Sequence, residues 1–294
     1  MRRLGLDPGG GIAGVVLAVL VLAVIAAPLY APQNPYNLAS LSLLDSLDPP
    51  SFLRGGIGQF PLGTDAQGRD VLSAILYGAR LSFMVGALAV SLAAAIGVPV
   101  GLAAGLAGGA LDAVLMRLAD AQLAMPAMLI ALLADGVARV LLPRSWLDGA
   151  GVAILIAAIG LARWPQFARL MRTAAHLEGQ RDYVAAARLV GIKPLVITLD
   201  HILPNVLAPA LVLFALSLGL AVIDEATLSF LGVGLPPTRP SLGTLIRVGS
   251  DYLLSGEWWL VLFPALALAI PVLLANLLGD AIREQLGQRV QARP

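Results

Sequence analysis

The sequence predicts an all-α, polytopic membrane protein with six transmembrane helices. Three observations lead there. Of 294 residues, 59% are apolar and only 13% charged. Mean hydropathy is +0.87. The apolar residues gather in six runs, most of them long enough for a hydrocarbon core about 30 Å thick. An average soluble domain carries about 25% charged residues, so this chain has too few to coat a globule. Six spans of about 20 residues each leave room for one large loop on each side, but not for a separate soluble enzyme domain. The net charge of +1 offers no cationic excess, which argues against a nucleic-acid partner. The absence of Cys removes disulfides, thiolate metal sites and Cys nucleophiles.

The first apolar run, Ile12 to Leu29, follows Arg2 and Arg3. It is either a membrane helix or the apolar region of a secretory signal, and its length favours the helix, since signal cores run to about 7–15 residues. Pro28, Pro32 and Pro35 then break the pattern. Ala31 to Arg80, carrying Asp45, Asp48, Arg54, Asp65, Arg69 and Asp70 among many turn residues, reads as an extramembrane loop. The second span is Leu81 to Leu106. Its Gly97, Gly101 and Gly105 recur every fourth residue, so three missing side chains share one helix face and let a neighbouring backbone approach. Packing within the chain is the expected use of that face, ahead of a subunit contact. The third apolar region, Leu111 to Val137, opens with Asp112, Arg117 and Asp120 at the membrane edge and contains Pro126. The fourth, Gly149 to Ala162, is short but extends through Trp164, whose ring suits the interface. The fifth runs from Val206 to Leu231 and the sixth from Trp258 to Leu278. This divides the chain into an N-terminal segment, residues 1–80, with the first span and the outer loop, and a core, residues 81–294, with five spans.

Charge sets the orientation. Arg163, Arg169, Arg172, Arg181, Arg188 and Lys193 place six of the 19 basic residues between the fourth and fifth spans, and cytoplasmic loops attract such excess. With that loop inside, twelve basic residues face the cytoplasm and seven face outward. Both termini are then cytoplasmic, and Ala31 to Arg80 and the 232–257 loop lie outside.

The residues exclude several chemistries. A phosphate-binding loop needs Lys followed by Ser or Thr, whereas the only Lys, Lys193, precedes Pro194. Any use of ATP must come from a partner. A metalloprotease pair of the H-E-x-x-H kind is absent, because His176 and His201 are 25 apart in the inner loop. No His lies in an expected span to activate a Ser there. Asp224 and Glu225, late in the fifth span, are candidates for an ion-coupled secondary transporter, because a mid-membrane acid is costly enough to signal function. The plainer expectation is that partners within the bundle or at the outer interface satisfy them.

The inner loop, about residues 163–205, is more informative. Around Ala185, Ala186 and Ala187 it favours a short helix from Gln180 to Val190, with Tyr183 and Ala187 on one face and Arg181 and Arg188 on another. Gly191 suits a helix end that needs positive φ, and Pro194 blocks simple continuation. His201-Ile-Leu-Pro-Asn205 then leads directly into the fifth span. Such a helix either transmits force from a soluble partner or rests on lipid headgroups.

Tyr183-Val-Ala-Ala-Ala-Arg188, Gly191 and His201-Ile-Leu-Pro-Asn205 resemble the cytoplasmic EAA loop of ABC importer permeases. Pro61-Leu-Gly-Thr-Asp-Ala-Gln-Gly-Arg-Asp-Val-Leu-Ser73, Tyr77-Gly-Ala-Arg80, Glu225-Ala-Thr-Leu-Ser-Phe-Leu-Gly232 and Asn276-Leu-Leu-Gly-Asp280 are similar to the C-type subunit of the dipeptide/oligopeptide permease family. The resemblance covers nearly the whole chain. It implies a retained first span and residence in the cytoplasmic (inner) membrane of a prokaryote. It also implies a second homologous permease subunit, two cytoplasmic ATPases and an extracytoplasmic binding protein as partners. ATP would be bound by those ATPases, leaving this chain with no cofactor of its own. Tyr183, Ala185, Ala186, Ala187, Arg188, Gly191, Leu203 and Pro204 would form the ATPase-coupling site, and closure of the ATP-loaded dimer would turn the cavity from inward to outward facing. The family's cargo spans dipeptides, longer peptides, glutathione and nickel complexes, with selection resting largely on the binding protein. One departure stands out: Ala185 occupies the place of the family's usual Glu, so a charge-assisted contact is missing. Glu178, Asp182 or Arg188 would have to replace it, or docking would rest on apolar packing.

Overall fold

A computed structural model describes residues 8–37, 41–53, 55–56, 58–141, 143–233 and 239–291. Among the described residues the chain is helical, with a single isolated bridge between Thr64 and Asp70 in place of any strand. The helices are α1 (Pro8–Ile25), α2 (Ala27–Tyr30), α3 (Val71–Ala107), α4 (Gly109–Leu123), α5 (Ala127–Leu141), α6 (Arg144–Glu178), α7 (Asp182–Leu189), α8 (Pro194–Val196), α9 (Leu203–Phe230), α10 (Leu242–Ser250) and α11 (Trp259–Gln291).

Four stretches, Val71–Ala107, Gly151–Glu178, Pro194–Phe230 and Trp259–Ala281, are long and apolar enough to cross a bilayer. The third expected span is broken. Pro126 cannot donate a helical hydrogen bond, and α4 and α5 meet there at 91°, making a fifth crossing only if they act as one. The apolar part of α1, Gly11–Ile25, is shorter than the other spans; at 1.5 Å per residue it reaches roughly 22 Å. The described residues thus hold four span-length helices, or five with the bent pair, against the six expected.

Several boundaries move. α3 starts ten residues before the expected span, because the Asp70 carboxylate caps it, accepting from the Ser73 amide (2.9 Å) and hydroxyl (2.6 Å). The outer 232–257 loop is not open. It contains α10, whose N-cap Ser241 accepts from the Thr244 amide at 3.3 Å, and buries Leu242, Gly243, Thr244 and Leu245 against the bundle. The loop from Ala31 to Arg80 is stapled to the bundle. Arg69 and Asp65 form a buried ion pair at 2.6 Å, and the Thr64 carbonyl accepts from the Trp259 indole.

The core lies where α3 meets α6. A Cβ on Gly97, Gly101 or Gly105 would run into the carbonyl oxygens of Trp164, Ala168 and Arg172 respectively, so the glycine face serves packing within the chain, as expected. Val85, Ala89, Val90, Leu155, Ile159 and Phe167 fill the seam, and Ala221 and Leu228 of α9 close it.

Candidate functional site: the loop between α6 and α9

α6 runs past the expected end of the fourth span to Glu178, and Gly179 and Gln180 turn the chain into α7. Asp182 in the first turn of α7 and Arg188 in the last both complement the helix dipole. The helix stops in a Schellman motif. The Ile192 amide donates to the Ala187 carbonyl (3.1 Å) and the Gly191 amide to the Arg188 carbonyl (3.0 Å), with Gly191 at φ +84°. The expected stop therefore falls on the expected residue for the expected reason.

Two side chains hold α7 to the bundle. Val184 is fully buried and Ala187 nearly so, in a cluster with Leu102 of α3, Met171 and Ala175 of α6, and Val206 and Ala210 of α9. Burying one Val is worth about 2 kcal/mol, enough to fix an eight-residue helix that would not persist alone in water. Tyr183 adds a polar strut: its hydroxyl donates to Glu178 (2.8 Å) and accepts from Asn205 (3.2 Å). One side chain thus ties the end of α6, α7 and the start of α9. Burial, then the hydrogen bond to Glu178, raise the Tyr183 phenol above its ordinary value, with the Asn205 amide acting the other way.

The remaining coupling candidates face outward. Ala185, Ala186, Arg188 and Gly191 are exposed, as is Pro204, while Leu203 is half-buried beside the anchoring cluster. Val184, the strongest anchor, was not singled out by sequence; its position between Tyr183 and Ala187 on the helix was the available signal. Leu189 at 88% and Val190 at 81% exposure, also not singled out, make an apolar tip at the end of α7. The chain then enters α9 through α8 and a π-helical turn, Ile197–Ile202, whose Ile197 and Ile202 are buried in the same cluster.

The membrane acids are engaged. Asp224 accepts from Arg163 Nε at 2.8 Å and from its Nη2. This corrects the charge count: Arg163 is 7% exposed and belongs to the bundle, not to the inner loop. Its partner is 61 residues away, so local sequence gave no sign of the pair. At the same level, Gln122, next to the α4–α5 break, accepts from the Trp164 indole (2.8 Å) and donates to the Leu161 carbonyl. Glu225 is fully buried, its Oε1 accepting from Ser229 at 2.7 Å, with Ser82 and Ser241 beside it. Asp224 is thus held in an ion pair, while the second oxygen of Glu225, Oε2, is buried without a hydrogen-bond partner, and among the described residues no second acid or histidine lies with it to form an ion-coupled relay. Among the described residues no group of acids and histidines could hold a metal ion.

Long apolar helices with a short helix, α7, docked on three of them at one end form the frame of a polytopic membrane protein. The family described as "Binding-protein-dependent transport system inner membrane component" matches residues 97–292. The chain is 41% identical over 285 residues to the dipeptide transport system permease protein DppC of Escherichia coli K12, covering 96% of this chain and 90% of that one. It is 36% identical over 283 residues to the di/tripeptide transport system permease protein DppC of Pseudomonas aeruginosa UCBPP-PA14, covering 96% and 89%. A chain of the inward-facing MetNI methionine ABC transporter shares the fold, with a TM-score of 0.57 at 21% identity, over 73% of this chain and 97% of that chain. The chain belongs to the binding-protein-dependent transport system inner membrane component family. It is a multi-pass inner-membrane component of a binding-protein-dependent transport system.

Proposed function

We propose that the chain is one of two homologous permease subunits in an importer of peptides or related small solutes, and that α7 docks on one of two cytoplasmic ATPases. The observation that carries this reading is the two-sided character of α7. Val184 and Ala187 fix it to α3, α6 and α9, while Ala185, Ala186, Arg188 and the Leu189–Val190 tip face away. Tyr183, Ala187, Gly191 and Leu203 hold the frame; Ala185, Ala186 and Arg188 meet the ATPase, with Pro204 exposed at the start of α9. With Ala185 where a Glu would add a charge, docking rests mainly on apolar packing around Leu189 and Val190. ATP is bound and hydrolysed by the partner, and this chain supplies the path. The termini and the 163–205 loop face the cytoplasm, as the basic residues of the loop favour. Peptide cargo is supported by the dipeptide and di/tripeptide permeases named above.

Replacement of Gly191 by Pro tests the coupling role. Pro fixes φ near −65°, incompatible with +84°, and removes the amide that bonds Arg188. ATP-driven uptake should vanish while the protein remains in the membrane. Normal transport by this variant would exclude α7 as the coupling element. Cargo is read separately, by measuring the affinity of the neighbouring binding protein for peptides of graded length; a flat response would remove peptides from the reading but not the permease.

A further inference from the structure

Besides the loop, the bundle carries a groove of about 480 Å³ between α1, α3, α9 and α11. Its lining includes Leu17, Phe83, Met84, Leu218, Val222 and Val272, and its only polar side chain is Arg80. From Arg80 the four walls descend together: Arg80 to Ala87 on α3, Ile25 to Leu17 on α1, Val222 to Leu218 on α9 and Pro271 to Ala275 on α11. Eight and nine helical residues on the longer walls, seven and eight steps of about 1.5 Å, give a depth of roughly 10–12 Å.

The mouth is polar and positively charged. Tyr77, three residues before Arg80, packs edge-on against Tyr36 at 5.2 Å, and both Arg80 and Arg239 act electrostatically on Tyr36. Neither Arg has a carboxylate partner among the described residues. Tyr and Trp side chains collect at the headgroup level of a membrane, and Trp258 and Trp259 stand at the start of α11, the first just before it, on the same side. An unpaired guanidinium at that level above a greasy slot matches a phosphate with an acyl chain beneath it. A neighbouring transmembrane helix would have to supply an anionic group to the guanidinium and fill the apolar slot from separate side chains, whereas a phospholipid brings both in one molecule.

We propose that this groove is a binding site for one anionic phospholipid of the leaflet that adjoins residues 41–70, with its phosphate at Arg80 and an acyl chain between α1, α3, α9 and α11. The lipid fills the space between α1, α3 and α9 and adds to the direct packing of α1 on α11.

Bromine quenching tests this in the assembled transporter, reconstituted in phosphatidylcholine vesicles with a small fraction of dibrominated phosphatidylglycerol. The reporter is Phe83→Trp, corrected by the parent protein for the native tryptophans. Its quenching should exceed the bulk brominated fraction several-fold. Arg80→Ala in the same background should bring it down to the bulk value, Arg80→Lys should retain most of the excess, and dibrominated phosphatidylcholine should give no excess. Bulk-level quenching already present before Arg80 is changed would overturn the proposal. So would an excess indifferent to Arg80→Ala, which would make the slot unselective. A reporter quenched in the isolated chain but shielded in the assembly would give the groove to another subunit. None of these readings depends on transport.

Discussion

Tyr183 and Arg163 each hold two helices that the sequence separates, one outside the membrane and one within it. Tyr183 donates to Glu178, so its ionisation would both remove the donor and set two negative charges side by side. Because its folded value is raised, the stability it contributes is whole below the unfolded Tyr value, about pH 10, and is lost as pH rises through the folded one. The tyrosinate absorbance difference between the protein and Tyr183→Phe should therefore have its midpoint above that value, and uptake below about pH 9 should show no step from this residue. Tyr183→Phe removes both hydrogen bonds and should cost about 1 kcal/mol, near the low end for two because the site is exposed. Arg163 is the larger lever. Removing one member of a buried pair costs about 3–5 kcal/mol, and the 23% exposure of the Asp224 side chain puts Asp224→Asn near 3 or below. Thermal unfolding in detergent should show that loss, and the charge-reversed double variant, Arg163→Asp with Asp224→Arg, should recover part of it. Equal losses in the single and double variants would mean that the pair is not the source.

At the scale of elements, glycine separates packing from mere permissiveness. Gly101 faces the α6 backbone at Ala168, so Gly101→Ala must push α3 and α6 apart, for a cost of about 1–3 kcal/mol as an overpacked core. Gly136 on α5 has nothing within 4 Å of where a Cβ would stand, and Gly136→Ala should be neutral or stabilising by up to about 1 kcal/mol. The comparison of their unfolding temperatures isolates the α3–α6 contact. That face was readable from sequence because its period is local: three glycines four apart. The stop of α7 was readable for the same reason, since Gly191 and Pro194 act on their neighbours alone. What depends on distant partners was not. Pro126 lay inside the expected third span, yet nothing local gave the 91° turn there, beside which Gln122 bonds Leu161 and Trp164 of another helix. Arg163 counted as a loop cation until its partner was visible on α9. α10 had a local signal, Ser241 three residues before Thr244, but its short apolar stretch fell below the length of a span.

For the whole molecule, the proposed function puts α7 and the α10–α11 turn on opposite sides of the membrane, the first with the basic inner loop and the second in the 232–257 loop expected outside. The sequence contains no Cys, so a single introduced thiol reports its own side without background. Leu189, 88% exposed beyond the bundle, and Leu254, fully exposed in the turn before α11, are suitable positions because neither contributes to packing. In intact cells a membrane-impermeant maleimide should label Leu254→Cys and leave Leu189→Cys unmodified; after permeabilisation both should react. Co-expression of the ATPase should then slow the labelling of Leu189→Cys several-fold, while Leu254→Cys is unchanged. Labelling of Leu189→Cys from outside would invert the orientation drawn from the basic residues. Correct sidedness without protection would keep the orientation but remove the Leu189–Val190 tip from the ATPase contact, leaving Ala185, Ala186 and Arg188 to carry it.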